Sequence, residues 1–480
     1  MTATSLKFGT SGLRGLVTEL NGPPAYAYTR AFAGLLIEDG SAAAAGNAVL
    51  VGRDLRASSP AIAALCCAAL FDAGLTPLDC GALPTPALAA HGMSRGLPAI
   101  MVTGSHIPED RNGLKFYRAQ GEIDKADETR IVALHAALDP QAGPEGTGGR
   151  RATAPDADLL AAYRARSLDF FGSGSLRGLT VGVYQHSSVA RDVIVDVLEG
   201  LGARAVPLGR ADRFIPVDTE ALRPEDEALA RGWAGEQALD AIVSTDGDAD
   251  RPLIADAAGA FLRGDLVGAI TARFLGADAI VTPVTSNSAL EACGAFARVL
   301  RTRVGSPFVI EGIGEAIAAG ARVAVGFEAN GGVLLGSDVE RRGRRLAALP
   351  TRDAMLPILC CLASIVERGQ PLATVAADFR FKAAASNRLP EVPGERSAAF
   401  LGRLEREPSF RDEFLAPLGG VAAMSARDGV RLTAHNGEVV HVRASGNAPE
   451  LRVYVEAEGP ARTAALLAWG LEQAARQVRA

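Results

Sequence analysis

Residues 239–251 read Leu-Asp-Ala-Ile-Val-Ser-Thr-Asp-Gly-Asp-Ala-Asp-Arg. A short apolar run typical of a strand leads into carboxylates at alternate positions, Asp246, Asp248 and Asp250. In open α/β sheets the chemistry gathers where strands end, so the segment predicts a buried strand followed by a functional loop. Carboxylate oxygens in this spacing suit Mg²⁺ or Ca²⁺ better than zinc. An EF-hand is excluded, because the glycine and glutamate needed at its sixth and twelfth positions are missing; a solvated acidic turn remains the alternative.

The chain has 480 residues, of which 48% are hydrophobic and 22% are charged. At roughly 150 residues per domain, this length predicts about three globular domains. The net charge of −6 argues against a nucleic-acid partner. The longest apolar stretch, residues 355–366, is shorter than the roughly 20 residues of a membrane span. The first residues lack the apolar core of a signal peptide, and the six cysteines include no C-x-x-C pair. We therefore expect a cytoplasmic protein with reduced thiols and no membrane partner.

The order strand, polar loop, helix, strand recurs along the chain. Copies begin at residues 51–59 and 181–188, and a third begins at residues 280–288. Each copy predicts a βαβ unit with its polar loop at the carboxyl end of the strand. Beyond about Asp378 the pattern changes to alternating strands that end in a helix from Pro460. This last part predicts a smaller α+β domain with an antiparallel sheet.

A serine loop follows another apolar run. Residues 103–108 read Thr-Gly-Ser-His-Ile-Pro, directly after the predicted strand at residues 99–102. Glycine permits a tight turn and proline fixes the exit, so Ser105 is held at a strand end beside His106. The segment lacks the G-x-S-x-G pattern of the hydrolase elbow, and an ordinary serine turn is the alternative. Downstream, Lys115 is either a proton carrier or a surface lysine with a buried stem.

A glycine-rich loop opens the chain at residues 7–15. Thr10, Ser11 and Arg14 in this loop are candidates to bind a phosphate. A P-loop ATPase is excluded, because the chain contains no Gly-Lys-Ser/Thr segment.

Two further loops carry polar groups at strand ends. Residues 326–332 read Gly-Phe-Glu-Ala-Asn-Gly-Gly, where Glu328 and Asn330 are spaced to bind vicinal hydroxyls; a turn with an exposed glutamate is the alternative. In the last domain the chain reads Arg-Ala-Ser-Gly-Asn-Ala-Pro over residues 443–449. Its arginine, hydroxyl and backbone donors, with Arg452 nearby, make a phosphate cradle. A β-turn with incidental arginines is the alternative there.

Taken together and in this order, the five segments resemble the α-D-phosphohexomutase superfamily, which includes phosphomannomutase, phosphoglucomutase and phosphoglucosamine mutase. The T-x-S-H-x-P serine loop and the D-G-D-x-D-R loop carry the resemblance, which covers the whole chain. It implies an α/β fold with four domains around a central cleft: three similar α/β domains with mixed sheets and a C-terminal α+β domain. The implied domains are 1–150 with the serine loop, 151–258 with the metal loop, 259–375 with the sugar loop and 376–480 with the phosphate loop. A Gly-, Pro- and Ala-rich linker is predicted at residues 139–158.

The resemblance also implies a role for each site residue. Ser105 would donate and recover a phosphoryl group, with Arg14, His106 and Lys115 around it and either His106 or Lys115 carrying the proton. Mg²⁺ would be bound by the phosphate on Ser105 together with Asp246, Asp248 and Asp250. The substrate would be bound by a further set: Arg251, Glu328, Asn330, Arg443, Ser445, Asn447 and Arg452.

The implied reaction is that of a phosphomannomutase, which interconverts mannose 6-phosphate and mannose 1-phosphate through a phosphoserine and a hexose 1,6-bisphosphate. The bisphosphate would also serve as activator, and sugar phosphates would be the only partners of a monomer or homodimer. Alternatives are a phosphoglucomutase or an enzyme that accepts both sugars. A phosphoglucosamine mutase and a non-catalytic sugar-phosphate binding protein fit less well.

Three loops depart from the common family pattern. The last loop has Gly446-Asn447 in place of the frequent Gly-Thr pair. Many members read G-E-x-S-G-H in the sugar loop, where this chain has Asn330 and Gly332 in place of serine and histidine. The serine loop often reads T-A-S-H-N-P, where this chain has Gly104 and Ile107. Both variants are most similar to a bacterial phosphomannomutase subgroup that serves surface-polysaccharide precursors. The choice between mannose and glucose stays open.

Overall fold

The computed structural model describes residues 5–9, 12–138, 143, 152–155, 158–445 and 449–479. The predicted linker at residues 139–158 lies mostly outside these ranges. Within them, no helix has both the length and the apolar composition that crossing a membrane requires. All six cysteines are free thiols.

The first part of the chain forms a seven-stranded sheet with its helices. Its elements are β1 Lys7–Gly9, β2 Gly12–Leu16, α1 Val17–Leu20, α2 Pro23–Glu38, α3 Ser41–Ala44, β3 Ala48–Arg53, α4 Ser59–Asp72, β4 Thr76–Ala82, α5 Thr85–Arg95, β5 Ala99–Val102, β6 Arg111–Arg118, β7 Gly121–Glu122 and α6 Lys125–Ala136.

Two four-stranded sheets follow, and the second of them is joined to a two-stranded hairpin. The elements of the first are α7 Leu159–Phe171, β8 Thr180–His186, α8 Arg191–Gly200, β9 Arg204–Arg210, α9 Pro224–Glu236, β10 Ala241–Thr245 and β11 Pro252–Asp256. Those of the second are α10 Gly264–Leu275, β12 Ala279–Pro283, α11 Ala289–Ala292, β13 Arg298–Thr302, α12 Ser306–Ala318, β14 Ala324–Phe327, β15 Val333–Leu335, β16 Val339–Arg341, β17 Arg344–Leu346, α13 Met355–Arg368 and α14 Leu372–Ala377.

The last part is the predicted α+β unit, in which every neighbouring strand pair of the five-stranded sheet is antiparallel. Its elements are β18 Ala383–Pro390, α15 Gly394–Arg406, α16 Pro408–Leu415, a short 3-10 helix Ala416–Leu418, β19 Val421–Ser425, β20 Val430–Ala434, β21 Val439–Ala444, β22 Glu450–Ala457 and α17 Pro460–Arg479.

The first three sheets share one strand order, which confirms the mixed α/β fold and accounts for the sequence repeat. The shared orders are β6-β5-β3-β4, β11-β10-β8-β9 and β15-β14-β12-β13. In each unit the two inner strands are parallel, and the fourth strand pairs antiparallel with the third. The connection from third to fourth strand is therefore equivalent in all three units. These connections are the serine loop, the metal loop and the sugar loop.

The four principal sheets fall one in each of the predicted domain ranges. The predicted bound at residue 375 lies inside α14, however, and a helix packed on α13 does not divide between domains. We propose the domain bounds inferred from the sequence, with the start of the last domain moved to the end of α14.

Two local predictions differ from the structure. The apolar run at residues 321–325 before the sugar loop predicts a strand, but the strand begins at Ala324. The Asp278 carboxylate accepts the backbone N–H groups of Arg322 and Val323 and holds these residues in a bend. The third repeat predicts a helix near residues 289–296, but the structure has the short α11 there, and Gly294 follows it at a φ of 69°.

The serine loop is held by one buried arginine. Arg56 is 1% exposed and pairs with Asp54 through Nε–Oδ2 at 3.2 Å. Its Nη2 donates to the carbonyls of Ser105 at 3.0 Å and Ile107 at 2.6 Å, and its Nη1 donates to the carbonyl of Pro108 at 2.8 Å. The loop consequently keeps Ser105 at a φ of 54°, a left-handed conformation that residues other than glycine rarely adopt.

Gly104 gives the arginine room to reach these carbonyls. A Cβ placed on Gly104 would lie 2.7 Å from Cζ of Arg56. Asp54 is held in turn by Thr103, whose hydroxyl donates to Oδ2 at 2.8 Å. The glycine that departs from the common family pattern is therefore part of the clamp on the serine loop.

We predict that Arg56→Met loosens the serine loop. Removing one partner of a buried ion pair leaves Asp54 uncompensated, which costs about 3–5 kcal/mol in the free energy of unfolding. Hydrogen exchange of residues 103–111 should accelerate and the thermal midpoint should fall. Arg130→Met is the matched control in the same domain, because the Arg130–Glu38 pair is exposed. Unchanged exchange in Arg56→Met would contradict the clamp.

The stability of the fourth sheet should depend on pH through His441. His441 on β21 is buried, and its Nε2 lies 2.7 Å from the carbonyl oxygen of Asp428. Burial lowers the pKa of His441 to about 4, and the charge on Arg431 acts in the same direction. Because the unfolded chain binds the proton near pH 6.5, the folded state loses stability as pH falls from about 6.5 to 4. The loss from this residue is about 2–3 kcal/mol.

The fluorescence of Trp469 in α17 reports on this unit, and Trp233→Phe removes the other tryptophan. In that background, His441→Gln should flatten the fall of the unfolding midpoint between pH 6.5 and 4. Equal slopes with and without the histidine would show that His441 does not carry the effect.

Candidate active site

The serine loop and the metal loop meet at the serine hydroxyl. Ser105 is buried, and its Oγ donates to Oδ2 of Asp246 at 2.6 Å. The Oγ also lies 3.2 Å from Nδ1 of His106. The hydroxyl therefore faces carboxylates of the next sheet and does not lie in an exposed turn.

The three aspartates of the metal loop form one buried cluster. Asp246, Asp248 and Asp250 each offer an oxygen within 4.8 Å of the others. Oδ1 of Asp246 accepts the backbone N–H groups of Asp250 and Arg251, both at 3.2 Å. Over the described ranges, Oδ1 of Asp248 and Oδ1 of Asp250 are buried without a hydrogen-bond partner. Buried carboxylate oxygens that lack donors are suited to coordinate a hard divalent cation.

Lys115 joins two of these carboxylates. It lies on β6 with 4% of its surface exposed, and its Nζ is 2.6 Å from Oδ2 of both Asp248 and Asp250. The Thr85 hydroxyl donates to the same oxygen of Asp248 at 2.6 Å. Burial opposes the charge on the lysine, but the two carboxylates outweigh it and raise the pKa of Lys115. The side chain is thus a charged group inside the site and does not reach the surface.

The negative charge of the cluster is compensated unevenly. Burial and repulsion from Asp248 and Asp250 raise the pKa of Asp246 well above its usual range. Burial acts on Asp250 too, but Arg352, Lys115 and Arg251 hold the pKa of Asp250 well below its usual range. The carboxylate that accepts from Ser105 is therefore the one that lacks positive charge. A divalent cation would supply that charge, so the residues present fit Mg²⁺.

Cations converge on the other side of the serine. Nη1 of Arg251 donates to Nδ1 of His106 at 2.8 Å, and because a guanidinium only donates, the imidazole is neutral. Burial, Arg251 and Arg14 lower the pKa of His106 well below its usual value. Burial and the charges of Arg251 and Arg352 lower the pKa of Arg14 to about 10. Guanidinium groups that repel one another in this way mark a place for an anion.

The sugar loop is tied to the metal loop by an arginine. Glu328 and Asn330 follow β14 in a turn in which the N–H of Glu328 donates to the carbonyl of Gly332 at 3.1 Å. The side-chain oxygen of Asn330 accepts from the N–H of Gly332 at 3.0 Å. Glu328 is buried, and its Oε2 accepts from Nη1 of Arg352 at 3.1 Å. Nε of the same arginine donates to Oδ2 of Asp250 at 3.0 Å.

The proposed phosphate donors of the last domain form a separate group. Nε of Arg443 donates to Oδ1 of Asp428 at 2.8 Å. Arg452 donates through Nε and Nη2 to Oε1 of Glu450 at 2.9 and 2.7 Å. Ser445 lies between β21 and β22, and its N–H donates to the carbonyl of Glu450 at 3.0 Å. Three residues that were predicted to bind phosphate lie outside the described ranges: Thr10, Ser11 and Asn447.

Three residues of the site do not stand out in the sequence: Arg56, Thr85 and Arg352. Thr85 contacts a residue 163 positions away, and Arg352 contacts one 102 positions away. Neither residue stands in a glycine-rich or acidic motif. Arg56 lies in the repeated segment 51–59. The repeat predicts the secondary structure of that segment but not the contact of Arg56 with the serine loop.

Models of known protein families match three parts of the chain. The phosphoglucomutase/phosphomannomutase α/β/α domain I matches residues 5–142, and α/β/α domain III matches residues 263–381. The C-terminal domain of the same family matches residues 403–469.

Full-length relatives agree with these matches. The chain is 49% identical over 465 residues to a phosphomannomutase from Sinorhizobium fredii (strain NBRC 101917 / NGR234), covering 97% of this chain and 98% of the relative. It is 40% identical over 463 residues to a phosphomannomutase from Salmonella muenchen, covering 95% and 92% respectively.

A solved structure shows the same fold. A phosphoglucomutase/phosphomannomutase family protein from Burkholderia thailandensis matches with a TM-score of 0.76 at 19% identity, covering 100% of this chain and 98% of that one. The family models, the full-length relatives and the shared architecture lead to one conclusion: the chain belongs to the phosphoglucomutase/phosphomannomutase family, whose members are isomerases of the phosphohexomutase type.

Proposed function

We propose that the protein catalyses the reversible conversion of mannose 6-phosphate to mannose 1-phosphate through phosphorylated Ser105 and a hexose 1,6-bisphosphate. The observation that carries the proposal is the Ser105 hydroxyl, 2.6 Å from Asp246 in a buried cluster of three aspartates and Lys115. A protein that only bound sugar phosphates would need neither this nucleophile nor the triad. Relatives named phosphomannomutase that match along their whole length support mannose as the sugar.

The reaction consists of two phosphoryl transfers. In the first, a hydroxyl oxygen of the bound sugar phosphate attacks the phosphorus on Ser105. The new P–O bond forms as the bond between phosphorus and Oγ breaks. The sugar hydroxyl gives its proton to a base, and Oγ takes up a proton from an acid. The resulting bisphosphate reorients, and its other phosphate returns to Ser105 by the reverse of the same step. Each cycle therefore regenerates the phosphoserine.

Such transfers depend mainly on positioning and on charge neutralisation. Arg14 and Arg251 supply fixed positive charge around the serine. We assign the proton-donor role toward Oγ to Lys115, because its two carboxylate partners keep it charged. We assign the acceptor role to His106, whose pKa burial and the neighbouring arginines lower, so that the ring is neutral and accepts from Arg251.

We propose that Asp246, Asp248 and Asp250 hold Mg²⁺ together with the phosphate on Ser105. When bound, the ion neutralises charge on the migrating phosphoryl group. The chain's own part is to keep the three carboxylates buried, close together and supplied with backbone donors.

The remaining loops bind the ends of the substrate. We propose that Glu328 and Asn330 accept hydrogen bonds from hydroxyls of the bound sugar phosphate. Arg251 would contact the same substrate molecule. The phosphate that is not being transferred would lie on Arg443, Ser445, Asn447 and Arg452, displacing the present partners of the arginines, Asp428 and Glu450. Hexose 1,6-bisphosphate would act as activator by restoring a lost phosphoserine. A cytoplasmic place in the supply of nucleotide-sugar precursors is part of the same proposal.

The first test is a coupled assay with mannose 1-phosphate and, in parallel, glucose 1-phosphate, in the presence of Mg²⁺ and a trace of hexose 1,6-bisphosphate. We expect turnover of mannose 1-phosphate that falls at least about 10³-fold in Ser105→Ala, since the nucleophile is lost. Turnover of glucose 1-phosphate alone would correct the sugar and keep the mutase. Failure of the phosphorylated wild type to convert either sugar would contradict the proposal.

The second test concerns the metal and uses thermal unfolding. A cation that binds only the folded state stabilises it by about 2–3 kcal/mol at a hundredfold excess over its Kd. Mg²⁺ should therefore raise the midpoint of the wild type and leave that of Asp246→Asn unchanged. Asp212→Asn, at an exposed position of the same domain, should keep the wild-type response. A thermal midpoint of the wild type that does not change when Mg²⁺ is added would contradict the metal assignment.

A further inference from the structure

Arg352 lies at the point where the metal loop and the sugar loop approach each other. It is 2% exposed, and it follows the hairpin β16–β17 just before α13. Its Nε and Nη2 are both 3.0 Å from Oδ2 of Asp250, and its Nη1 is 3.1 Å from Oε2 of Glu328. One planar guanidinium thus links a carboxylate of the triad to the carboxylate of the sugar loop.

The sugar loop has the shape that this arginine requires. A Cβ placed on Gly332 would lie 2.4 Å from Cδ and 2.8 Å from Cγ of Arg352. The aliphatic stem therefore fills the volume that a side chain at position 332 would need. The glycine at the end of the loop and the arginine form one packed unit, because any larger residue at 332 displaces the stem.

Thr351, the residue before Arg352, is hydrogen-bonded to the first sheet. The hydroxyl of Thr351 donates to Oε1 of Glu122 at 2.9 Å, and that of Ser306 donates to Oε2 at 2.8 Å. Glu122 belongs to β7, which pairs with the strand that carries Lys115. Together, Thr351 and Arg352 consequently contact the units of the serine loop, the metal loop and the sugar loop.

A guanidinium suits this role better than an ammonium. Its donors are set in one rigid plane, so two carboxylates that it binds at once are held at a fixed separation. A lysine offers a single charged atom on a flexible stem. Substrate hydroxyls bound by Glu328 would keep a constant distance from the phosphoryl group on Ser105 only while this separation is fixed.

We propose that Arg352 is a positioning residue of the phosphoryl transfer, which sets Glu328 of the sugar loop relative to Asp250 of the metal loop. The proposal rests on the function proposed above and adds to it a residue that joins the sugar site to the metal site. Arg352 acts through these two carboxylates and need not touch the substrate.

Binding is measured first, apart from turnover. In the Ser105→Ala background, titration calorimetry gives the Kd of mannose 1-phosphate with and without Arg352→Met. Removing a residue that orients a metal-site ligand costs about 10–100-fold, so we expect the Kd to rise by at least about tenfold. The Mg²⁺ concentration that gives half-maximal thermal stabilisation should rise as well.

Kinetics then separate geometry from charge. Arg352→Met and Arg352→Lys should both lower kcat/KM for mannose 1-phosphate by at least about tenfold, because neither side chain can hold both carboxylates. Gly332→Ala should raise KM, because the added Cβ displaces the arginine stem. Arg301→Met is the matched control: Arg301 is a mostly buried arginine of the same unit that pairs with Glu291 and donates to backbone carbonyls. It should lower the thermal midpoint and leave KM unchanged.

Wild-type Kd, KM and Mg²⁺ dependence in Arg352→Met, within about twofold, would overturn the proposal. Full restoration by lysine would overturn it too, since charge alone would then suffice. A wild type that turns over neither sugar would instead contradict the proposed function. In that case the two Ser105→Ala titrations still test the link between Arg352 and sugar-phosphate binding.

Discussion

Three carboxylates buried in one short loop impose the constraint on which the rest of the site depends. Asp246, Asp248 and Asp250 repel one another, and burial strengthens that repulsion. Lys115 of the first unit and Arg352 of the third unit bring positive charge to these carboxylates, which belong to the second unit. The metal loop is therefore stable only where these units meet, and the serine hydroxyl lies at the same place.

The repeated sheet order explains why chemistry from distant segments collects there. In each unit the third strand runs parallel to the first and ends in a loop that returns antiparallel. The serine, metal and sugar loops are this same connection in three copies, so one topology places Ser105, the three aspartates and Glu328 at equivalent strand ends. The fourth sheet is built differently, and its donors Arg443 and Arg452 are paired with carboxylates of their own domain. A separate domain with its own partners fits a role in holding the far end of the substrate.

The sequence predicted the elements that depend on local patterns. The strands before the serine, metal and sugar loops, the antiparallel last sheet and the helix from Pro460 follow from apolar periodicity and turn residues. The family resemblance added roles for Ser105 and the aspartates. The sequence could not show that Lys115 is buried between two carboxylates, because a lone lysine beside apolar residues is equally typical of a surface. Arg56 and Arg352 do not stand out in the sequence for a related reason: their contacts are with loops far away in the chain, and no spacing rule encodes such contacts.

We propose that Ser105 carries the phosphoryl group between the two ends of the sugar. Intact-mass spectrometry with peptide mapping tests it directly, on wild type and Ser105→Ala incubated with hexose 1,6-bisphosphate and then with mannose 6-phosphate. We expect one phosphate on Ser105 of the wild type, removed again by the sugar monophosphate, and none on the variant. A wild type that gains no phosphate, or a variant that gains as much as the wild type, would contradict it.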